Sequence, residues 1–284
     1  MDEKPILSAK DLELKFTLRG KVMTALRGIS LDVYKGESLA IVGESGSGKS
    51  VFTKAFMGLT DANGAITGGE LWYKDQDLLA LKTEAQWRKI RGKEIAMVMQ
   101  DPMTSLNPLK TVGWQIQEAV ELHQGLKGRA AHAAAVEALR DVGIDDPERR
   151  FRQYPHEFSG GMRQRVVIAT AIACKPQVLI CDEPTTALDV TIQAQILGLI
   201  KDLQKKYKLT TIYITHDLGV VANVADRIAV MYAGDIVEIG KCEEVFYDPK
   251  HPYTWALLSS LPQLAQKNTK LYSITGTPPS LYNQ

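Results

Sequence analysis

The sequence predicts an α/β fold with a largely parallel central sheet, and three observations lead to that prediction. Strand-like and helix-like segments alternate along the chain, as they do in proteins with a parallel sheet. Several strand-like segments are short continuous apolar runs, which are typical of strands buried on both faces. Between about residues 103 and 175 the pattern is helical throughout, which indicates an inserted helical subdomain.

The N-terminal part is predicted to be rich in strands. Apolar and polar residues alternate over 12–16 and again over 29–33, which predicts two strands with one exposed face. A turn signal at 34–37 precedes the apolar run 38–42, which is a candidate buried strand. A helix over 51–59 is expected to follow this strand.

The remainder of the chain continues the alternation. A strand is expected over 94–99, and helices are expected from 113 to 142, where the Ala-rich stretch 129–142 is amphipathic. A further helix is predicted over 160–174. Buried strands are predicted over 178–181 and 211–215.

Composition and charge exclude several classes of protein. The 284 residues carry a formal net charge of +1, so the basic excess of a nucleic-acid-binding protein is missing. No apolar run approaches the roughly 18 residues needed to span a bilayer. The three cysteines show no C-x-x-C spacing, which argues against a zinc site or a disulfide framework. We therefore expect a cytosolic chain whose membrane contact comes through a partner.

A glycine-rich motif predicts a phosphate-binding loop. It matches G-x-x-x-x-G-K-[ST] between a predicted buried strand and a predicted helix, and consists of Gly43, Glu44, Ser45, Gly46, Ser47, Gly48, Lys49 and Ser50. The glycines let backbone N–H groups face phosphate oxygens, Lys49 can reach the β- and γ-phosphates, and Ser50 can ligate Mg²⁺. A glycine-rich turn that matches by chance is the alternative. The flanking strand and helix favour binding of a nucleoside triphosphate.

A second motif places two acids at the end of an apolar strand. Residues 178–181 lead directly into Asp182 and Glu183, at the strand edge where open α/β sheets bind ligands. Asp182 fits the holding of Mg²⁺, and Glu183 is the candidate general base for the attacking water. Alternatively, the two acids and Pro184 simply begin a helix. The phosphate loop elsewhere in the chain favours the catalytic interpretation.

Further motifs resemble those of ABC ATPases. The segment 158–164 resembles the signature motif of that family and precedes the strand with the two acids, as it does there. Gln100 resembles the glutamine of the Q-loop, residues 187–189 the D-loop, and His216 the switch histidine. The resemblance implies a P-loop NTPase core with a mostly parallel sheet, an antiparallel β subdomain and an inserted helical subdomain.

The resemblance also implies domain boundaries. The core with its antiparallel β subdomain is expected over 1–102 and 176–250. The helical subdomain with the signature motif is expected over 103–175. A C-terminal extension is expected over 251–284.

Roles for individual residues follow from the same resemblance. Contact with ATP is implied for Phe16, Gln100, Ser159, Gly160, Gly161, Gln164 and Asp189, in addition to residues 43–50. Mg²⁺ is implied at Ser50, Gln100 and Asp182, and catalysis at Glu183 and His216. Tyr34 is an alternative to Phe16 as the aromatic that stacks on adenine. Taken alone, Ser159 is more simply a helix N-cap, His216 a structural histidine and Gln100 a solvated side chain.

Two stretches resemble the ATPases of oligopeptide and dipeptide importers, residues 100–108 and the extension at 251–258 and 276–279. The implied activity is hydrolysis of ATP, with Mg²⁺, coupled to peptide uptake from the cytoplasmic face of the cell membrane. The implied partners are a second ATPase subunit, homologous but not identical, two transmembrane permease subunits and an extracytoplasmic peptide-binding protein. Nickel import by the same subfamily is one alternative. A soluble ABC ATPase acting on nucleic acid or the ribosome is another, although no nucleic-acid partner is expected from the charge.

Overall fold

The computed structural model describes residues 4–186 and 188–260. The chain divides into two compact units. Unit 1 comprises Met1–Lys82 and Ile212–Gln284, and unit 2 comprises Thr83–Thr211. The domain boundaries that the sequence suggested, at 102, 175 and 250, stay a prediction.

Unit 1 contains an antiparallel four-stranded sheet in the order β2-β1-β4-β5. Its strands are β1 (Leu7–Leu18), β2 (Lys21–Val33), β4 (Gly64–Tyr73) and β5 (Gln76–Asp77). The predicted alternation is present, because Leu12, Leu14 and Phe16 are buried whereas Glu13 and Lys15 are partly exposed. One face of this sheet therefore forms part of the unit's core.

A second group of strands in unit 1 carries the phosphate-binding motif. The order in this unit is β10-β9-β3-β8, with β3 (Ser38–Val42), β8 (Thr210–Thr215), β9 (Arg227–Tyr232) and β10 (Asp235–Lys241). Strands β3 and β9 are parallel, and β9 and β10 form an antiparallel hairpin. All five residues of β3 are buried, as its continuous apolar sequence predicted. The helices are α1 (Lys49–Ala55), α9 (Leu218–Val224), α10 (Cys242–Tyr247) and α11 (Pro252–Ser259).

Unit 2 contains the parallel pair β6 (Ile95–Val98) and β7 (Val178–Asp182), followed in sheet order by the first two residues of β8. Its helices are α2 (Glu84–Trp87), α3 (Pro102–Ser105), α4 (Val112–Gln124), α5 (Gly128–Asp141), α6 (Pro147–Arg150), α7 (Gly160–Ile172) and α8 (Val190–Tyr207). A short 3-10 turn covers Pro155–Glu157. The mixture of parallel strands, an antiparallel sheet and helices confirms the predicted α/β fold class.

The helical stretch that the sequence predicted is interrupted at Gly125. Thr111 caps the start of α4 through its side-chain oxygen, and Gly125 ends this helix in the left-handed conformation, with φ of 70°. Helix α5 then buries the face that contains Ala131, Ala135 and Leu139, which confirms the predicted amphipathic pattern. In the described part of the chain, no helix is both long and apolar enough to cross a bilayer.

Candidate functional site

The glycine-rich loop connects β3 to α1 and is shaped around two glycines. Gly43 has φ of +150°, and a Cβ atom there would lie 2.1 Å from the Met231 carbonyl oxygen. Gly48 has φ of +102°, and its Cβ would lie 2.9 Å from the Ala25 carbonyl oxygen. Because any side chain would meet backbone at both positions, only glycine lets the loop lie this close to its neighbours.

The centre of the loop holds a buried cation and a buried hydroxyl. The Lys49 side chain donates to the carbonyl oxygens of Gly43 at 2.8 Å and Glu44 at 2.7 Å, and the residue is only 5% exposed. The Oγ atom of Ser47 is buried and has no hydrogen-bond partner among the described residues. Buried polar groups of this kind are normally satisfied. A loop with a buried ammonium and an unsatisfied hydroxyl therefore fits a ligand rich in anionic oxygen acceptors, such as a triphosphate.

Two further parts of unit 1 hold the loop in place. The Gly234 amide, in the turn of the β9–β10 hairpin, donates to the Ser47 carbonyl at 3.0 Å. The Glu44 amide donates to the Tyr253 hydroxyl of α11 at 3.2 Å. No pattern in the sequence connects Tyr253 with the loop, because the segment 251–258 indicated only the subfamily. A tyrosine one residue into a helix carries no signal for such a contact.

The two candidate adenine-stacking aromatics have different surroundings in unit 1. The Arg227 guanidinium lies over the Tyr34 ring, 5.4 Å from its centroid, and pairs with Glu37 at 3.1 Å. This contact occupies a face of Tyr34. Phe16 is 9% exposed, and its ring lies against Gly64 of the neighbouring strand. Phe16 therefore stays the predicted aromatic, with much of its ring already packed in the sheet.

In unit 2, the two acids stand where β7 ends. All five residues of this strand are buried, and Asp182, its last residue, is 8% exposed. Glu183 follows with φ of 45°, in the left-handed region that costs a residue with a side chain about 1–3 kcal/mol. Such strain persists only where the surrounding structure enforces it and is concentrated at functional sites. The backbone at Glu183 thus supports its assignment as a functional carboxylate.

Two hydrogen bonds converge on one oxygen of Glu183. The Gln100 side-chain amide and the Thr186 hydroxyl each donate to Oε2 at 2.9 Å. The structure thereby brings together Glu183, which was assigned from its position after an apolar strand, and Gln100, which was assigned only through the resemblance. Thr186 was missed by the sequence analysis. Its spacing of three residues from Glu183, within a turn, was the available signal.

The predicted signature segment begins helix α7. The Ser159 hydroxyl accepts from the Met162 amide at 3.3 Å, so the N-cap interpretation is confirmed. Ser159 and Gly160 are exposed, whereas a Cβ on Gly161 would lie 2.8 Å from Cγ2 of Ile192 in α8. Gly161 is therefore required for the close approach of the two helices. A role of this segment in binding nucleotide stays a prediction.

The side chain of Gln164 is buried within unit 2. The residue is 1% exposed, and neither amide atom has a hydrogen-bond partner among the described residues. The predicted contact of Gln164 with nucleotide stays a prediction.

Two predicted residues occupy the start of a helix or the end of a strand. Asp189 caps α8 by accepting from the Ile192 amide at 2.9 Å. His216 follows the last residue of β8 and is exposed. Of the predicted D-loop, Ala187 lies outside the described residues, as does the predicted segment 276–279 of the extension. The roles of Asp189 and His216 in catalysis stay predictions.

The predicted magnesium ligands have suitable chemistry. Ser50, Gln100 and Asp182 would supply hydroxyl, amide and carboxylate oxygens, the hard donors that Mg²⁺ prefers. Asp182, at the end of a buried strand, is the one predicted carboxylate ligand. Ser50 belongs to unit 1, and Gln100 and Asp182 belong to unit 2. Joint binding of Mg²⁺ by the three residues stays a prediction.

Comparisons with known proteins agree with this chemistry. Residues 26–186 match the family model described as ABC transporter, and residues 237–284 match that described as the C-terminal region of oligopeptide/dipeptide transporters. The oligopeptide transport ATP-binding protein AmiE of Streptococcus pneumoniae is 60% identical over 99% of this chain and 79% of its own length. The dipeptide transport ATP-binding protein DppD of Bacillus subtilis is 53% identical over 98% of this chain and 83% of its own.

Solved structures give the same result for the fold. The dimeric post-hydrolysis structure of the ATP-binding cassette MJ0796, bound to ADP and phosphate, superposes with a TM-score of 0.73. It is 28% identical and covers 83% of this chain and 98% of its own. The cassette cbiO1 of Clostridium perfringens, described as part of an ABC transporter complex, superposes with a TM-score of 0.74 and is also 28% identical.

Proposed function

The chain belongs to the ABC transporter family, and on that premise we propose that it is the ATP-hydrolysing subunit of an importer of oligopeptides or dipeptides. The observation that carries the ATPase part is the glycine-shaped loop around buried Lys49. The peptide part is supported by the relatives named for oligopeptide and dipeptide transport and by the matching C-terminal region.

Binding of ATP would exchange one set of acceptors for another. Lys49 donates to two loop carbonyls, and phosphate oxygens are stronger, charged acceptors for the same ammonium. Ser47 would gain a partner for its unsatisfied hydroxyl. The exposed residues Ser45 and Gly46 leave the outer part of the loop open to the ligand. Phe16 would stack on the adenine.

Hydrolysis would depend on the carboxylate of Glu183. This group accepts a proton from water as the water oxygen attacks the γ-phosphorus and the bond to the ADP oxygen breaks, which yields ADP and phosphate. Gln100 and Thr186 each donate to Oε2 and so orient the carboxylate toward its role as base. Mg²⁺ held by Ser50, Gln100 and Asp182 would neutralise developing charge on the phosphates. His216 would assist at the γ-phosphate.

The assembly proposed is a dimer of ATPase subunits attached to two permease subunits. Exposed Ser159 and Gly160, at the start of α7, suit contact with ATP held by the second ATPase, which we propose to be a homologous, non-identical chain. The large apolar side chains of Met103, Leu109 and Trp114 are 63%, 82% and 41% exposed. We propose that these exposed side chains of unit 2 contact a permease segment at the cytoplasmic face, while an extracytoplasmic protein delivers peptide.

Uptake measurements in cells lacking this chain test the proposal. The cells would be complemented with wild type, Lys49→Ala or the matched surface control Lys35→Ala, and offered labelled dipeptides, longer peptides and Ni²⁺. Wild type and Lys35→Ala should restore peptide uptake, whereas Lys49→Ala should not, because it lacks the ammonium for the phosphates. Restoration of Ni²⁺ uptake alone would assign the chain to nickel import. Full peptide uptake with Lys49→Ala would contradict the ATPase role.

A further inference from the structure

The C-terminal helix α11 is fixed to the sheet of unit 1 at its first residues. The Glu238 carboxylate of β10 accepts from the backbone amides of Lys250 at 2.7 Å and His251 at 2.9 Å. The imidazole of His251 then caps the helix by accepting from the Tyr253 amide at 3.1 Å, and Pro252 occupies the first helical position. These contacts leave little freedom in the direction of the first turn of α11.

That first turn directs Tyr253 at the phosphate-binding loop. The ring packs on Tyr232, the last residue of β9, with centroids 4.4 Å apart, and the residue is 8% exposed. Burial raises the pKa of the Tyr253 hydroxyl, so it stays a neutral phenol at physiological pH. Its oxygen accepts the hydrogen bond from the Glu44 amide at 3.2 Å.

Glu44 is therefore held at both ends of its backbone. Its amide donates to Tyr253, and its carbonyl accepts from the Lys49 ammonium at 2.7 Å. On its other side, Gly43 lies directly against the Met231 carbonyl, which leaves the first residue of the loop no room to move toward β9. Loss of the Tyr253 hydroxyl would therefore release the Glu44 amide, and the Lys49 ammonium, which the Glu44 carbonyl holds, would lose its fixed position.

We propose that Tyr253 is a positioning residue for ATP binding, which holds the Glu44 backbone so that Lys49 is presented to the phosphates. This inference rests on the proposed function, because it assigns to the C-terminal extension a part in the same nucleotide site. Tyr253 contacts the loop and acts on the ligand through Glu44 and Lys49. The extension thereby makes the nucleotide site of this chain depend on a segment that begins more than 200 residues after the loop.

The test removes the hydroxyl and keeps the ring. Tyr253→Phe retains the packing on Tyr232 and leaves the Glu44 amide without its protein acceptor. We expect the dissociation constant for a fluorescent ATP analogue, and KM for ATP in the assembled transporter, to rise about five- to tenfold, the effect of losing one hydrogen bond. The turnover number at saturating ATP should change less than about twofold, because excess ATP fills the site despite the weaker affinity. Tyr247→Phe is the matched control, because Tyr247 is 89% exposed.

Hydrogen exchange provides a readout that a general loss of stability would not reproduce. In the nucleotide-free protein, Tyr253→Phe should speed exchange of the Glu44 amide while the Ile41 amide of β3 exchanges as in wild type. An unchanged Glu44 amide or an unchanged affinity for ATP would overturn the proposal. Equal acceleration at Ile41 would show that the hydroxyl serves folding only, and would also overturn it. If wild type and Lys49→Ala bind ATP equally, the proposed function fails and this inference fails with it. Loss of ATP binding in Lys49→Ala beside wild-type affinity in Tyr253→Phe would overturn this inference alone.

Discussion

Replacement of Glu183 by glutamine changes the proposed base with little change in shape. Gln100 and Thr186 each donate a hydrogen bond to Oε2 of this side chain at 2.9 Å. The carbonyl oxygen of glutamine can accept both, so the turn that holds φ of 45° keeps its side-chain contacts. We expect the free energy of unfolding to change by less than about 1 kcal/mol.

The catalytic effect of Glu183→Gln should be large, because an amide cannot accept the proton from water at neutral pH. Loss of a general base lowers turnover by about a hundred- to ten-thousandfold, or about 3–5 kcal/mol of barrier. Affinity for ATP should stay at the wild-type value, since the phosphate contacts are proposed for residues 43–50. Turnover is measured as phosphate release at saturating ATP by the assembled transporter, and affinity by equilibrium binding.

The matched control for this prediction is Glu121→Gln. Glu121 is exposed on α4 and accepts one side-chain hydrogen bond, from Gln117 at 2.7 Å, so it experiences the same chemical change away from the proposed site. The control should hydrolyse ATP at the wild-type rate. If Glu183→Gln retained one tenth of the wild-type turnover while it still bound ATP, Glu183 could not be the base.

Three further predictions follow from contacts in the two units. Gly43→Ala should abolish ATP binding, because its Cβ would lie 2.1 Å from the Met231 carbonyl oxygen, and equilibrium binding with wild-type affinity would refute the loop geometry. Thr186→Val should lower turnover about tenfold at unchanged ATP affinity, since one donor to Glu183 is lost, and Thr186→Ser should restore it, as measured by phosphate release. Burial alone would raise the pKa of Glu238, but hydrogen bonds from the loop before α11 lower it below the usual value of 4.5. The ionised carboxylate of Glu238 therefore stabilises the fold at pH values above 4.5, and this stabilisation is lost as pH falls through the lowered pKa. In Glu238→Gln, the denaturation midpoint should consequently depend less on pH in the acid range than it does in wild type.

Much of the fold was predictable because it depends on patterns within short segments. The continuous apolar sequence of β3 and the alternation in β1 report directly how many faces of each strand are buried. The helix predicted over 51–59 begins at Lys49 and ends at Ala55, and the one predicted over 160–174 ends at Ile172. Helix ends are set by capping and local packing rather than by periodicity, which explains these differences.

The candidate site was predictable to the extent that its chemistry is encoded by spacing. The loop 43–50 and the acids after β7 carry their residue types in fixed order, so the sequence identified both. The burial of Gln164 could not be predicted, because a motif fixes the position of a residue and not the direction of its side chain. Thr186 was missed because threonine in a turn has many ordinary roles.

The sequence by itself determined the family, the predicted phosphate loop and the identity of the predicted carboxylates, because each is recognised from residues that are neighbours in the chain. Only the tertiary structure decided which groups restrain them. Tyr253 reaches Glu44 across 209 positions of the chain, and Gln100 reaches Glu183 across 83. Such contacts depend on how strands and helices pack, and packing is a property of the whole fold that no local pattern contains.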